Sequence, residues 1–275
     1  MSSVAEALAG GLIGSRLWLY SNYHCNLSCT YCLSDSSSTA PRRELPLDRL
    51  VELAEEAREL GFESIGITGG EPFLVPGLPD ILPQLVESLP VLVLSNGTLF
   101  TDRLIHRLRP VAGPRFAIQI SLDSARPDLN DELRGPLNFR KVVLAIPRLR
   151  AAGIAVRIAT TSAQSSEADQ SDLCALHRSL GVRDEDHIVR PIVARGRAAV
   201  RGLGVQAARA DLPAELTITA DGAYWSPFGP TIRAGRLDTD LLVSRTTSPL
   251  VLAAGAMIRV AAGTPRTPSG GPGVV

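Results

Sequence analysis

Cysteine is scarce in this chain: four in 275 residues is too few to staple a disulfide scaffold of that length. Net charge is absent, with Lys plus Arg and Asp plus Glu standing at 28 each. Binding to nucleic acid or a membrane surface through bulk charge needs an excess of one sign, so that mode is excluded, although a local basic patch is not. The opening stretch MSSVAEALAGGLIGSRLWLY has no basic leader and no unbroken apolar core. It reads as neither a signal peptide nor a membrane span.

Apolar residues are plentiful at 45%, against 20% charged, which is enough for a sizeable core in one large domain or a domain with an appendage. The scarce cysteines are also unevenly spread. Cys25, Cys29 and Cys32 crowd together while Cys174 stands alone. Clustering of that kind suggests metal binding in a reducing compartment, and a cytoplasmic location is expected.

A helix–Gly–strand pattern recurs along the chain. In LDRLVELAEEAREL, Leu47, Leu50, Val51, Ala54, Ala57 and Leu60 share one helical face, Gly61 supplies a stop, and SIGIT reads as a buried strand. FRKVVLAIPRLRAA repeats this through Phe139, Val142, Val143, Ile146 and Leu149, with Gly153 and the strand IAVRIATT after it. DLCALHRSL, Gly181 and HIVRPIV give a weaker third copy. Pro147 interrupts the second helix and is expected to kink it. With RLWLY, VLVLS and RFAIQISL, the strands fall near residues 16–23, 63–68, 91–95, 115–122, 154–161 and 186–193. Strands alternating with helices imply a mostly parallel sheet, either open or curled into a partial barrel. Beyond residue 195 the pattern changes. ELTITADGAYWSPFG reads as a hairpin turning on Asp221-Gly222, and the tail GTPRTPSGGPGVV is expected to be disordered.

The segment YHCNLSCTYCLSD puts cysteines at i, i+4 and i+7 directly after the first strand. Three thiolates can hold three corners of a four-iron cluster and leave one iron open to an outside ligand. A zinc site or three packed thiols remain alternatives at this point, although structural zinc wants a fourth ligand that only His24 or the distant Cys174 can supply. At the end of the second strand stands Gly69-Gly70-Glu71-Pro72. Paired glycines admit close backbone approach, and a carboxylate there can accept from an ammonium group.

CNLSCTYC, GGEP, the SNGT at residues 95–98 and the SLDS at residues 121–124 occur in the order typical of radical S-adenosylmethionine enzymes. The chain most resembles the branch holding the peptide-modifying SPASM and twitch-domain enzymes and the molybdenum-cofactor cyclase. DELRGPLNFRKVVLAIPRLRAAGIAV and the later RGRA extend the resemblance from about residue 16 to about residue 200. It implies an α/β fold: a partial (β/α)6 TIM-like barrel with a small C-terminal β-hairpin or cap region. Residues 1–15 become an extension, 16–200 the core, 201–260 a degenerate SPASM/twitch-like cap and 261–275 a disordered tail. Barrels of this type place their chemistry at the carboxyl ends of the strands, where all four motifs fall.

The resemblance further implies one [4Fe–4S] cluster on Cys25, Cys29 and Cys32, with the amino and carboxylate groups of S-adenosylmethionine on the open iron. Tyr31 sits near the adenine. Gly69, Gly70 and Glu71 receive the methionine ammonium, with Pro72 stiffening the turn. Ser95, Asn96, Ser121 and Asp123 are candidates for ribose or carboxylate contacts, each equally able to cap a helix. Arg157 on the fifth strand is a candidate partner for the methionine carboxylate; Arg190, Arg195 and Arg197 are expected on the surface. The implied reaction is reductive cleavage to a 5′-deoxyadenosyl radical that takes hydrogen from a small-molecule or peptide substrate, fed by a flavodoxin or ferredoxin. A non-catalytic iron–sulfur or zinc scaffold is the alternative. Trp225 and Ser226 occupy the region where SPASM enzymes carry cysteine, and no cysteine follows Cys174, so an auxiliary cluster is not expected. Cys174 is expected to pack as a small hydrophobe, with hydrogen-atom donation as its functional alternative.

Overall fold

The computed structural model describes residues 3–162, 167–233 and 235–264. In chain order the strands are β1 (Arg16–Tyr20), β2 (Ser64–Thr68), β3 (Val91–Ser95), β4 (Phe116–Ser121), β5 (Ala155–Ser162), β6 (His187–Pro191), β7 (Thr217–Thr219), β8 (Gly222–Tyr224), β9 (Ile232–Arg233), β10 (Arg236–Leu237) and β11 (Leu242–Ser244). The α-helices are α1 (Val4–Ala9), α2 (Leu47–Leu60), α3 (Leu78–Ser88), α4 (Asp102–Leu108), α5 (Pro127–Arg134), α6 (Asn138–Ala151), α7 (Glu167–Ser179), α8 (Gly196–Val200) and α9 (Leu250–Gly263).

The main sheet runs β11-β8-β7-β1-β2-β3-β4-β5-β6, with β1 to β6 parallel throughout. All six expected strands are present. Their outward positions are mainly apolar, while the lumen side also carries polar groups such as Gln119, Ser121 and Arg190. Leu17, Leu19, Ile65, Ile67, Ile118 and Ile120 are fully buried in the outer core. Alternate positions turn inward, where Trp18 lies across Gly66: a Cβ on that glycine would meet the indole at 2.3 Å. Helices α2 and α6 stop where expected, and Gly61 and Gly153 take the left-handed conformation at φ 92° and 79°. Pro147 lies on the exposed face of α6, so water can satisfy the carbonyl it frees, and the helix runs on to Ala151.

The C-terminal region joins the main sheet. The hairpin β7–β8 forms as expected, but β7 pairs in parallel with β1 and so extends the barrel sheet at its open edge. Trp225 and Ser226 are buried, and Trp225 donates its indole N–H to the Leu212 carbonyl at 3.3 Å. Helix α9, which carries no periodic signal because it is apolar on most faces, packs against α1 and α2. It reaches Gly263, into the stretch expected as tail; residues 265–275 lie outside the described residues. No helix among the described residues is long and apolar enough to cross a membrane.

Candidate active site

The loop after β1 carries the three cysteines, and the loops after β2, β3 and β4 close around it. Cys25, Cys29 and Cys32 line one cavity of about 160 Å³ together with Gly69, Gly70 and Ser95, and Asn96, Ser121 and Arg134 complete its wall. No group of three His, Cys, Asp or Glu side chains among the described residues is gathered tightly enough to hold a single metal ion. Three thiols spread around a shared cavity suit a larger body, since a four-iron cluster holds its cysteines farther apart than one ion does. Burial pushes the Cys25 thiol up to about 12 and the Cys29 thiol up to about 11. Thiolates so placed need a cationic partner inside the cavity, which bound iron would provide.

Hydrogen-bond donors surround the sulfurs. The Asn96 amide donates to Cys25 Sγ at 3.7 Å and the Leu27 N–H to the same sulfur at 3.4 Å. Ser34 Oγ lies 3.4 Å from Cys32 Sγ. Such contacts stabilise thiolate charge and tune cluster potential.

Gly69 and Gly70 lie where backbone meets backbone. Gly70 N–H donates to the Asn22 carbonyl at 2.9 Å and Glu71 N–H to the His24 carbonyl at 3.0 Å. A Cβ on Gly70 would sit 2.2 Å from the His24 oxygen. The paired glycines therefore dock the β2 loop onto the cysteine loop and leave its backbone along the cavity edge.

Glu71 departs from expectation. Its carboxylate is fully buried and accepts from Ser95 Oγ at 3.0 Å, Asn96 N–H at 2.8 Å and Phe73 N–H at 3.2 Å. It does not line the cysteine cavity. It ties the β2 loop to the β3 loop, and desolvation raises its carboxyl to about 7 despite those donors. Pro72 is buried and opens the short helical turn that Glu71 caps.

Asp123 also serves the frame. It pairs with Arg134 Nε at 2.6 Å, accepts the Thr161 N–H at 2.8 Å and accepts the Tyr31 hydroxyl. Arg134 in turn stacks on the Tyr31 ring, 5.6 Å from its centroid. Asp123 has no free oxygen directed at the cavity, whereas Ser121, Tyr31 and Arg134 border the lumen directly. Sequence reading passed over Arg134; its signal is its place in DELRGPL, at the end of α5, directly beyond the β4 motif.

Arg157 is a correction. It lies near the amino-terminal end of β5, far along the strand from the rim, pairs with Asp186 at 3.6 Å and lines a lower cavity without any cysteine. Cys174 is half-buried on α7 and lines neither the cysteine cavity nor the lumen above it. Arg195 and Arg197 are not surface residues in role. Arg195 is buried and grips Asp240 with two bonds of 2.7 and 2.8 Å. Arg197 donates to the carbonyls of Cys29 at 2.7 Å and Ser36 at 2.9 Å. The C-terminal segment backs the same loop, with Thr231 Oγ donating to the Leu33 carbonyl at 2.8 Å and Ile232 N–H to the Ser34 carbonyl at 3.1 Å.

Residues 19–163, more than half of the chain, match the Radical SAM superfamily. The chain belongs to that superfamily. Membership implies a [4Fe–4S] cluster and S-adenosylmethionine, and the three thiols, their donors and the glycine edge fit that pair. Among its relatives are an AdoMet-dependent heme synthase of Methanosarcina barkeri, 30% identical over 57% of this chain and 45% of that one, and the mycofactocin maturase MftC of Mycobacterium tuberculosis, 30% identical over 58% of this chain and 40% of that one. The crystal structure of Streptococcus suis SuiB bound to S-adenosylmethionine shares the fold, with a TM-score of 0.58, 20% identity, and coverage of 67% of this chain and 43% of that one. The chain spans about half the length of the curated relatives it matches. Its parallel strands form the α/β fold that these radical SAM neighbours share.

Proposed function

We propose that the chain binds one [4Fe–4S] cluster through Cys25, Cys29 and Cys32 and S-adenosylmethionine beside it, to begin radical chemistry on a peptide or small-molecule substrate. The observation that carries this reading is the single cavity onto which all three cysteines, Gly69, Gly70, Ser95, Asn96 and Ser121 open. Held by Cys25, Cys29 and Cys32 and reduced, such a cluster would supply the single electron for reductive cleavage of S-adenosylmethionine.

The chain's own residues position and insulate. The backbone edge at Gly69 and Gly70 offers carbonyls to the methionine ammonium, replacing the role expected for the Glu71 side chain. Ser121 and Arg134 border both the cysteine cavity and the lumen, so they are candidates for the methionine carboxylate or ribose. Tyr31, fixed by Asp123 and Arg134, gives a rigid aromatic wall for the adenine. Asn96 and the Leu27 N–H hold negative charge on Cys25, and Arg197 keeps the loop closed around the cysteines. Walls such as Trp18 and Phe228 exclude water from a reactive radical.

Relatives named as maturases support a peptide substrate, and the heme synthase supports a small molecule. A flavodoxin or ferredoxin is the expected electron donor, in a reducing, cytoplasmic setting that preserves free thiols. Anaerobic purification, reconstitution with iron and sulfide, and reduction with S-adenosylmethionine test the reading. A brown protein releasing 5′-deoxyadenosine is expected. A colourless zinc protein, or an iron-loaded one that leaves S-adenosylmethionine intact, would sink it in favour of a scaffold.

A further inference from the structure

A second cavity, of about 230 Å³, lies in the barrel lumen and shares Cys29, Cys32, Gly69, Ser121 and Arg134 with the cysteine cavity. Its far wall is built by Trp18, Gln119, Arg190, Pro227 and Phe228, which also face the lower cavity. Two polar groups in that wall have no partner. Gln119 is only 3% exposed, and its Oε1 accepts nothing. The Nε of Arg190 is buried and donates to nothing, and Arg190 makes no ion pair among the described residues.

Every other charged side chain on these two cavities is engaged. Arg134 pairs with Asp123, and Arg157 with Asp186. Arg16 donates to Ser64 Oγ at 3.2 Å and stacks on Trp18, while Glu215 accepts the Trp18 indole N–H at 2.5 Å. A buried polar atom left unpaired costs free energy, and here that holds for Gln119 Oε1 and for the Nε of the half-buried Arg190. Two such groups on the lumen wall, beside the proposed radical site, are what a ligand would satisfy.

We propose that Arg190 and Gln119 form a recognition site for a substrate carboxylate with a neighbouring N–H, as found at the end of a peptide or on an acidic residue within it. The inference rests on the radical reading only for what happens to that substrate. Arg190 supplies the positive fork for the carboxylate, and Gln119 Oε1 accepts the N–H. Arg190 makes no ion pair among the described residues, but the Glu215 charge already reaches it, so a singly charged carboxylate suits the site better than a phosphate dianion. Tyr31, Ser121 and Arg134 of this cavity are assigned to S-adenosylmethionine, so the substrate end takes the part walled by Trp18, Gln119, Arg190, Pro227 and Phe228, with the remainder of a larger substrate directed toward the rim.

Isothermal titration calorimetry on anaerobically reconstituted protein saturated with S-adenosylmethionine tests the site, because the methionine carboxylate is then already seated. N-acetylglycine is compared with N-acetylglycinamide, which keeps the N–H and lacks the charge. The acid is expected to bind at least about tenfold more tightly, and Arg190→Gln to remove that preference. Gln119→Glu, which places a competing carboxylate in the wall, is expected to abolish acid binding and stands in if Arg190→Gln does not fold. N-acetyl-aspartyl amide replaces N-acetylglycine as the better ligand if the recognised group is a side chain, and the carboxylate assignment stands either way. Equal binding of acid and amide, tighter binding of inorganic phosphate, or an acid preference that survives in a folded variant overturns the proposal. Wild-type protein that makes 5′-deoxyadenosine yet fails this test refutes the carboxylate site alone; protein that passes it without making 5′-deoxyadenosine refutes the proposed function alone.

Discussion

Arg197 Nη1 donates to the carbonyl of Cys29 at 2.7 Å, while the Arg197 backbone N–H donates to the carbonyl of Cys32 at 2.9 Å. One residue thus holds two cysteines of the loop by their backbone, and Asp35 pairs with the same guanidinium at 2.9 Å. Gly196, at φ 53°, makes the approach possible, because a Cβ there would meet the Leu33 oxygen at 2.3 Å. Residues after β6 therefore brace the loop after β1, across the open side of the barrel.

Removing that brace should loosen the cluster. Arg197→Ala leaves two carbonyls and Asp35 without their charged donor, a loss of roughly 1.5–3 kcal/mol. Iron content after reconstitution is expected to fall and the melting temperature to drop. Arg201→Ala, at an exposed position on the turn after α8, should change neither beyond about 0.5 kcal/mol. Equal iron content in the two variants would show that the brace is incidental.

Each cysteine of the trio should be indispensable and the fourth dispensable. Cys25→Ser, Cys29→Ser and Cys32→Ser are expected to lose the brown chromophore and 5′-deoxyadenosine formation, whereas Cys174→Ser keeps both. Absorbance and iron analysis read the first property and chromatography the second. A Cys174→Ser protein without activity but with a full cluster would restore that thiol as a participant.

Gly70 offers a test of how the β2 loop is seated. Its missing Cβ would lie 2.2 Å from a backbone oxygen, an atom that cannot swing aside as a side chain can. Gly70→Ala should push the loop off the cysteine loop, weaken S-adenosylmethionine binding and slow 5′-deoxyadenosine formation by roughly a hundredfold, the rate penalty typical of a displacement near 1 Å. Gly255→Ala in α9 meets only the Arg259 guanidinium, at 3.5 Å, and should bind normally.

Much of this frame was legible from residues alone. The αβ repeat marked six strands and their mostly parallel sense, because strands alternating with Gly-stopped helices need crossover connections, and the cysteine spacing and GGEP marked two of the loops. The roles of Glu71 and Asp123 were not legible. A carboxylate after a strand looks the same whether it meets a ligand or a neighbouring loop, and here partners 24 and 11 residues away decide the matter. Arg197 was misjudged for a related reason, since an arginine past a strand defaults to solvent unless a distant loop arrives beside it. Helix α9 escaped because burial on most sides erases amphipathic period.

His177 carries a consequence for stability that lies outside the site. It is 1% exposed, neither ring nitrogen has a partner, and its ring meets that of His187 edge-on at 4.3 Å. Burial lowers it from 6.5 to about 4, with the His187 ring adding to the effect. The folded value lies below the unfolded one, so between about pH 6.5 and pH 4 the unfolded chain binds the extra proton. Stability is therefore full above that window and is lost as pH falls through it, by roughly 2 kcal/mol from this group. His177→Phe removes the titrating ring and two unpaired nitrogens while filling similar space. Urea unfolding at about pH 7.5 and about pH 5 should show a smaller acid loss in the variant than in wild type, with some slope remaining from His187, which burial also lowers. An unchanged acid slope in His177→Phe would mean that this histidine is already protonated or solvated in the folded chain.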